Sequence, residues 1–186
     1  TLVVAFLFLV FATVGPPNTE IAFKKSFNII PFFLSDIPMA KGLNANMVTI
    51  FLPTFPQENE ISFPPYLKRF TKLFINLAHL SGLQVELRGG TAGGPGVTDI
   101  DKFKPNMIQY IDELSRFAQE SLVSQLTIHG EIDNLLFSFP QEITSFSREL
   151  LAIARENYKG RIGIGTCCTI DVFQYNFAGY DYMITS

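Results

Sequence analysis

The sequence contains no tryptophan, few charged residues and only two cysteines. Charged side chains make up 17% of the 186 residues, the net charge is −3, and no basic cluster occurs, which argues against nucleic acid as a partner. Cys167 and Cys168 are adjacent, and no Cys/His spacing suited to zinc accompanies them. We therefore expect neither a metal nor a cofactor.

Phosphate-binding motifs are also missing. Residues 89–96 contain five glycines and a proline, but they form neither a GxGxxG motif nor a Walker motif with its lysine. We predict a flexible loop for this stretch. Hydrophobic residues make up 47% of the chain, which is ample for the core of one domain.

The first 17 residues differ in character from the rest. Residues 2–14 are hydrophobic and uncharged, and Gly15 with the two prolines after it ends the run. This length predicts a signal peptide or a membrane anchor, with a first strand or helix as the alternative. The chain begins with Thr1 rather than methionine, so we expect that its start is missing. The predicted location is secreted or membrane-anchored and extracellular.

From residue 21 to residue 186, apolar runs alternate with amphipathic stretches, and we treat this range as one domain. The apolar runs predict six strands, at residues 26–33, 47–52, 83–87, 125–131, 161–167 and 180–185. The amphipathic stretches predict helices at residues 36–43, 65–81, 105–122 and 141–158, and a short one at 170–178. Such alternation indicates an α/β fold with a parallel sheet, either an open doubly wound sheet or a closed barrel.

Five stretches, in this order, resemble strand motifs of the (β/α)8 TIM-barrel glycoside hydrolases of the retaining clan that includes β-mannanases and cellulases. They are residues 43–50 (LNANMVTI), 81–88 (SGLQVELR), 125–131 (QLTIHGE), 158–162 (YKGRI) and 180–184 (YDYMI). The resemblance covers roughly residues 27–186. It implies a partial TIM barrel with about six of eight strands, and so a C-terminally truncated fragment.

The resemblance also implies retaining hydrolysis of β-glycosidic bonds by two carboxylates. Glu131 then takes the place of the acid/base, at the end of the fourth strand. The nucleophile of the family comes from the seventh strand, so no residue of this chain is assigned that role. The implied partner is a β-linked oligo- or polysaccharide.

Two further residues are candidates for substrate binding. Arg88 follows the third strand, where it can bind substrate or pair with Glu131, and His129 lies two residues before Glu131. The chain departs from the family pattern at Gly130, where asparagine is common, and it has no tryptophan for stacking on sugars. The alternatives are therefore a non-catalytic carbohydrate-binding barrel, or an α/β enzyme that acts on a small metabolite.

Overall fold

The computed structural model describes residues 26–29, 36–53, 63–90, 96–167 and 174–185. The strands are β1 (Ser26–Ile29), β2 (Met47–Pro53), β3 (Gln84–Gly90), β4 (Gln125–Thr127), β5 (Arg161–Thr166) and β6 (Tyr182–Thr185). The helices are α1 (Asp36–Gly42), α2 (Pro65–Leu80), α3 (Ile100–Glu120), α4 (Ile132–Leu135) and α5 (Pro140–Asn157).

The six strands form one parallel sheet in the order in which they occur along the chain. A doubly wound sheet reverses its strand order at a switch point, and this sheet has no such reversal. Strictly sequential parallel strands with helical crossovers are the arrangement of a (β/α)8 barrel. The α/β fold class is therefore confirmed, and of the two predicted architectures the sheet is that of a partial barrel.

The two faces of the sheet carry different side chains. A Cβ added to Gly89 would meet the side chains of Leu114 and Tyr110 on α3, so alternate positions along β3 face the helices. Across β2 to β5 this helix-facing set is apolar and buried, and it packs with the helices into the core. It consists of Val48, Ile50, Leu52, Val85, Leu87, Leu126, Ile128, Ile162 and Ile164. The opposite, inner face carries polar residues.

The first three helices end with the same backbone motif just before the next strand. Asn44, Gly82 and Leu122 have positive φ angles of 55°, 72° and 55°. The residue after each one donates a backbone hydrogen bond to an alanine near the helix end: Ala45 to Ala40, Leu83 to Ala78 and Val123 to Ala118. This pattern is the Schellman motif. We call these three turns the lower rim. The predicted helix ends at residues 43 and 81 lie directly before two of these turns, whereas Leu122, which stands in the third turn, was predicted as helical.

The apolar spacing of residues 65–81 predicts a buried face that includes Leu67, Phe70 and Phe74, and this prediction is wrong for Phe70. Its surface is 51% exposed. The helix is apolar on two adjacent sides, and the core takes the side that carries Leu67 and Phe74. Tyr66 and Leu73 lie on the exposed side with Phe70. The i, i+4, i+7 spacing of the exposed set is itself helical, so periodicity alone could not separate the two sides.

The predicted start and end of α3 also need correction. The helix begins at Ile100, because the side chain of Asp99 accepts a hydrogen bond from the backbone nitrogen of Lys102 and caps it (3.2 Å). Pro105, the predicted start, lies inside the helix. The apolar spacing of residues 105–122 predicts that Leu122 faces inward, but Leu122 stands in the turn after the helix and is 75% exposed.

The hydrophobic segment of residues 2–14 lies outside the described residues. Of the predicted short helix at residues 170–178, only the last five residues are described, and they form turns rather than an α-helix. No helix in the described ranges is long and apolar enough to cross a membrane.

Candidate active site

Glu131 lies directly beyond the C-terminal end of β4. Barrel enzymes carry their active sites at this end of the strands. β4 itself ends at Thr127, but hydrogen bonding to β5 continues, since Gly165 donates its backbone N–H to the His129 carbonyl (2.7 Å). Glu131 is the N-cap residue of the short helix α4 and is partly exposed. Its carboxylate accepts a hydrogen bond from the Asn134 side chain (3.2 Å).

His129 holds the backbone of Glu131 in place. Its Nδ1 accepts a hydrogen bond from the Glu131 backbone N–H (3.0 Å), and its side chain has no exposed surface. An Nδ1 that accepts a hydrogen bond carries no proton, so the neutral ring is protonated on Nε2. Burial lowers the pKa of His129 to about 4, which keeps the ring neutral near pH 7.

Three glycines meet beside Glu131. A Cβ on Gly165 would lie against the Gly130 carbonyl oxygen and 2.6 Å from its carbonyl carbon, and a Cβ on Gly90 would lie 3.0 Å from the Gly130 nitrogen. The backbone of Gly130 therefore packs directly against the neighbouring strand ends, which only glycine permits on both sides. Gly89 and Gly90 were predicted to begin a flexible loop, but both belong to β3. We call Gly90, Gly130, Glu131 and Gly165 the upper rim.

The inner face of the sheet holds a buried carboxylate that the sequence analysis did not single out. Glu86 is 4% exposed and accepts hydrogen bonds from the hydroxyls of Thr49 (2.7 Å) and Thr127 (2.6 Å). Thr127 is in turn 3.0 Å from the hydroxyl of Tyr182. Burial, and then the nearby Glu86, raise the pKa of Tyr182 well above its usual value. The sequence signal was an acidic residue between two apolar strand residues, Val85 and Leu87.

Arg88 lies on the same inner face, one inward-facing position below Gly90. Its guanidinium forms an ion pair with Glu86 (3.4 Å), whereas the Glu131 carboxylate is bonded to Asn134. The Arg88 side chain is 20% exposed. Its buried Nε has no hydrogen-bond partner in the part of the chain that the structure describes.

Asp133 is a second buried carboxylate near the upper rim, and sequence reasoning missed it as well. One oxygen accepts a hydrogen bond from the Cys167 backbone N–H (2.8 Å), and the other has no partner among the described residues. Burial raises its pKa. The hydrogen bond between Asp133 and Cys167 fixes α4 against the end of β5, and it thereby stabilises the position of the segment that begins at Glu131. Within the described ranges, no cluster of His, Cys, Asp and Glu side chains could hold a metal ion.

No protein-family model matches the sequence, and no curated protein matches it. Solved structures do match it. The GH113 β-mannanase AaManA from Alicyclobacillus acidocaldarius, in complex with ManMIm, is similar with a TM-score of 0.61 and 15% identity, over 78% of this chain and 54% of that chain. Cel5A from Thermotoga maritima, in complex with a mannotriose substrate, has a TM-score of 0.62 and 17% identity, over 80% of this chain and 50% of that one.

A family 1 β-glucosidase from Thermotoga maritima is similar as well, with a TM-score of 0.58 and 13% identity, over 72% of this chain and 36% of that chain. The chain spans about half the length of the mannanase structures that it matches. At these low sequence identities the similarity is evidence for a shared fold alone. The chain therefore folds as part of the (β/α)8 barrel that is found in the GH113, GH5 and GH1 glycoside hydrolases.

Proposed function

We propose that the protein hydrolyses β-glycosidic bonds with retention of configuration, and that Glu131 is its acid/base. The observation that carries this proposal is the position of Glu131: a partly exposed carboxylate at the end of β4 in a glycoside-hydrolase barrel. The backbone hydrogen bond to His129 supports the role, because an acid/base must be held within reach of the glycosidic oxygen.

The proposed chemistry divides into two steps. Protonated Glu131 donates its proton to the glycosidic oxygen as the leaving group departs, and a second carboxylate attacks the anomeric carbon from the opposite face. The Glu131 carboxylate then removes a proton from the water that releases the sugar. We assign the second carboxylate to no residue of this chain.

Arg88 and His129 are given different parts in this proposal. Arg88 keeps a partly exposed guanidinium below the upper rim, and we assign it a contact with substrate hydroxyls. His129 is fully buried, so its contribution is to position Glu131 rather than to touch the sugar. The substrate class is a β-linked oligo- or polysaccharide, as for the mannanase and the mannotriose-bound Cel5A. We further propose that residues 2–14 direct the protein out of the cell or anchor it in a membrane.

The test compares the wild type, in the longest form that its gene encodes, with Glu131→Gln in the same form on β-mannan and β-glucan oligosaccharides. Loss of the acid/base should lower kcat by about 10²-fold to 10⁴-fold, and the released sugar should keep its anomeric configuration by NMR. Glu149→Gln, an exposed residue on α5, is the matched control. Equal rates for wild type and Glu131→Gln would remove Glu131 from the mechanism. Binding without hydrolysis by the wild type would favour the non-catalytic carbohydrate-binding barrel.

A further inference from the structure

Gly163 occupies a position in β5 that is covered by a side chain from the next strand. The strand pairings align it with Thr127 of β4 on one side and with Tyr182 of β6 on the other. A Cβ on Gly163 would meet the Tyr182 ring, whose Cδ2 lies 2.5 Å from that position. The φ of Gly163 is not positive, so its backbone conformation does not require glycine. The absence of a side chain in β5 therefore lets the Tyr182 ring lie across this strand.

This crossing brings the Tyr182 hydroxyl to Thr127, two strands away. The two hydroxyl oxygens are 3.0 Å apart, and the Thr127 hydroxyl is 2.6 Å from a carboxylate oxygen of Glu86. A carboxylate only accepts hydrogen bonds, so the single proton of the Thr127 hydroxyl is donated to Glu86. Thr127 is then the acceptor for Tyr182. The hydrogen bonds run in one direction, from β6 through β4 to β3.

The last member of this chain of contacts is Arg88. Oε1 of Glu86 accepts the hydrogen bond from Thr127 and also one from Nη2 of Arg88 (3.4 Å), while Oε2 accepts one from Thr49 (2.7 Å). The carboxylate is thus held at both oxygens. Arginine has a long side chain with many rotamers, and a guanidinium that is already anchored loses less conformational freedom when it binds a ligand.

We propose that Tyr182 is a positioning residue for Arg88. Its hydroxyl orients the Thr127–Glu86 pair, and this pair holds the guanidinium in the place from which it contacts the sugar. The inference rests on the proposed function for the contact between Arg88 and substrate. It adds a residue of β6 that acts through other side chains, and it explains the glycine at position 163 of β5.

The first measurement observes Arg88 itself, without substrate, in the longest form of the protein that its gene encodes. The Nε–H signal of Arg88 is recorded by proton–nitrogen NMR and is assigned by its loss in Arg88→Lys. Nε is buried, so the exchange of its proton with water reports how firmly the guanidinium is held. Tyr182→Phe should accelerate this exchange by about threefold to tenfold, the factor expected for one hydrogen bond. The ring keeps its place over Gly163 in this variant.

The second measurement is the kinetics of Tyr182→Phe on β-mannan and β-glucan oligosaccharides. The KM should rise by a similar factor while kcat stays within about twofold, because the weakened contact acts equally in the ground state and the transition state. Tyr180→Phe is the matched control. It also removes a tyrosine hydroxyl that is hydrogen-bonded, but to the Ser147 carbonyl of α5 (2.6 Å). It should change neither the Arg88 signal nor the KM.

Three further variants test whether the hydrogen bonds act as one chain. Thr127→Val breaks the chain in the middle, so adding Tyr182→Phe to it should not accelerate the exchange further. Thr127→Ser keeps the hydroxyl and should restore the slow exchange. Gly163→Ala should reproduce Tyr182→Phe, because its methyl displaces the Tyr182 ring from β5. Tyr182→Phe and Thr127→Val preserve the shape of the side chains, so they decide the outcome if Gly163→Ala does not fold.

The outcomes separate this inference from the proposed function. An Arg88 signal that both Tyr182→Phe and Thr127→Val leave unchanged overturns the inference, even if Glu131 proves essential for hydrolysis. Additive effects of these two substitutions, or an equal effect of Tyr180→Phe, overturn it as well. Faster exchange at Arg88 with an unchanged KM would sustain the positioning of Arg88 and remove its contact with the sugar from the proposed function.

Discussion

The upper and lower rims of this barrel are built by different rules. At the lower rim, three successive turns repeat one motif, with a residue of positive φ and a hydrogen bond to an alanine carbonyl in each. At the upper rim, the strand ends differ from one another, and glycines pack against a glycine backbone beside a partly exposed carboxylate. The lower rim is therefore a repeated structural unit, whereas the upper rim differs from one strand end to the next.

The two faces of the sheet also differ from each other. The helix-facing side of the sheet is apolar except for Thr166 at the end of β5, while the inner face carries Glu86, Arg88 and Tyr182 in a connected polar network. Burying a carboxylate is costly unless its oxygens are hydrogen-bonded, and those of Glu86 accept hydrogen bonds from two hydroxyls and a guanidinium. The polar residues therefore lie on the face that leads to the upper rim.

The largest predicted effect concerns packing at the upper rim. Gly165→Ala places a methyl against the Gly130 carbonyl, and neither backbone can move away freely. We expect a loss of about 3 kcal/mol in the free energy of unfolding, at the upper end for overpacking, measured by urea denaturation. Gly130→Ala is the matched control and should change the free energy of unfolding by less than about 0.5 kcal/mol. Equal losses in the two variants would refute the packing described for this rim.

The next effect is the pH dependence that His129 confers. Its pKa is lowered to about 4 in the folded protein, against 6.5 when unfolded, so the unfolded chain binds more protons between these values. Stability is therefore lost as pH falls through this window, by about 2 kcal/mol between pH 7 and pH 5. His129→Gln should lose this pH dependence, measured as urea midpoints at both pH values.

Two groups serve as references for the His129 experiment. His79, the other histidine, is partly exposed, and burial followed by Lys72 lowers its pKa, so His79→Gln should remove less of the pH dependence. The raised pKa of Asp133 makes the folded protein more stable as the pH falls, which is opposite to the effect of His129. This contribution is the same in wild type and in His129→Gln, so it drops out when the two are compared. A His129→Gln variant with wild-type pH dependence would contradict the burial of His129.

The smallest effect lies at the lower rim. Leu122 adopts a positive φ that strains a side chain with a Cβ, and it is 75% exposed, so it contributes little packing. Leu122→Gly should raise the free energy of unfolding by roughly 0.5–1 kcal/mol, after allowance for the greater entropy of glycine in the unfolded chain. The reciprocal change, Gly82→Leu, should lower it by a similar amount. If both variants destabilise, the three turns are not equivalent.

The sequence predicted the fold class because hydrophobic periodicity and strand order depend on local residue types. It located the candidate acid/base, Glu131, through the order of its motifs. It did not reveal Glu86 or Asp133 as network residues, because their partners, such as Thr127 and Cys167, are distant in sequence and meet only across strands. The end of β4 at Thr127, four residues before the predicted end at Glu131, was also missed, since backbone packing between glycines has no periodic signal.

The most direct test of the division between the rims is an NMR titration of the isotope-labelled protein with a β-linked oligosaccharide. The account predicts that the backbone amides of Gly90, Gly130, Glu131 and Gly165 shift together in a saturable manner, while those of Asn44, Gly82 and Leu122 do not shift. Saturable shifts confined to the lower rim, or spread equally over both, would contradict it.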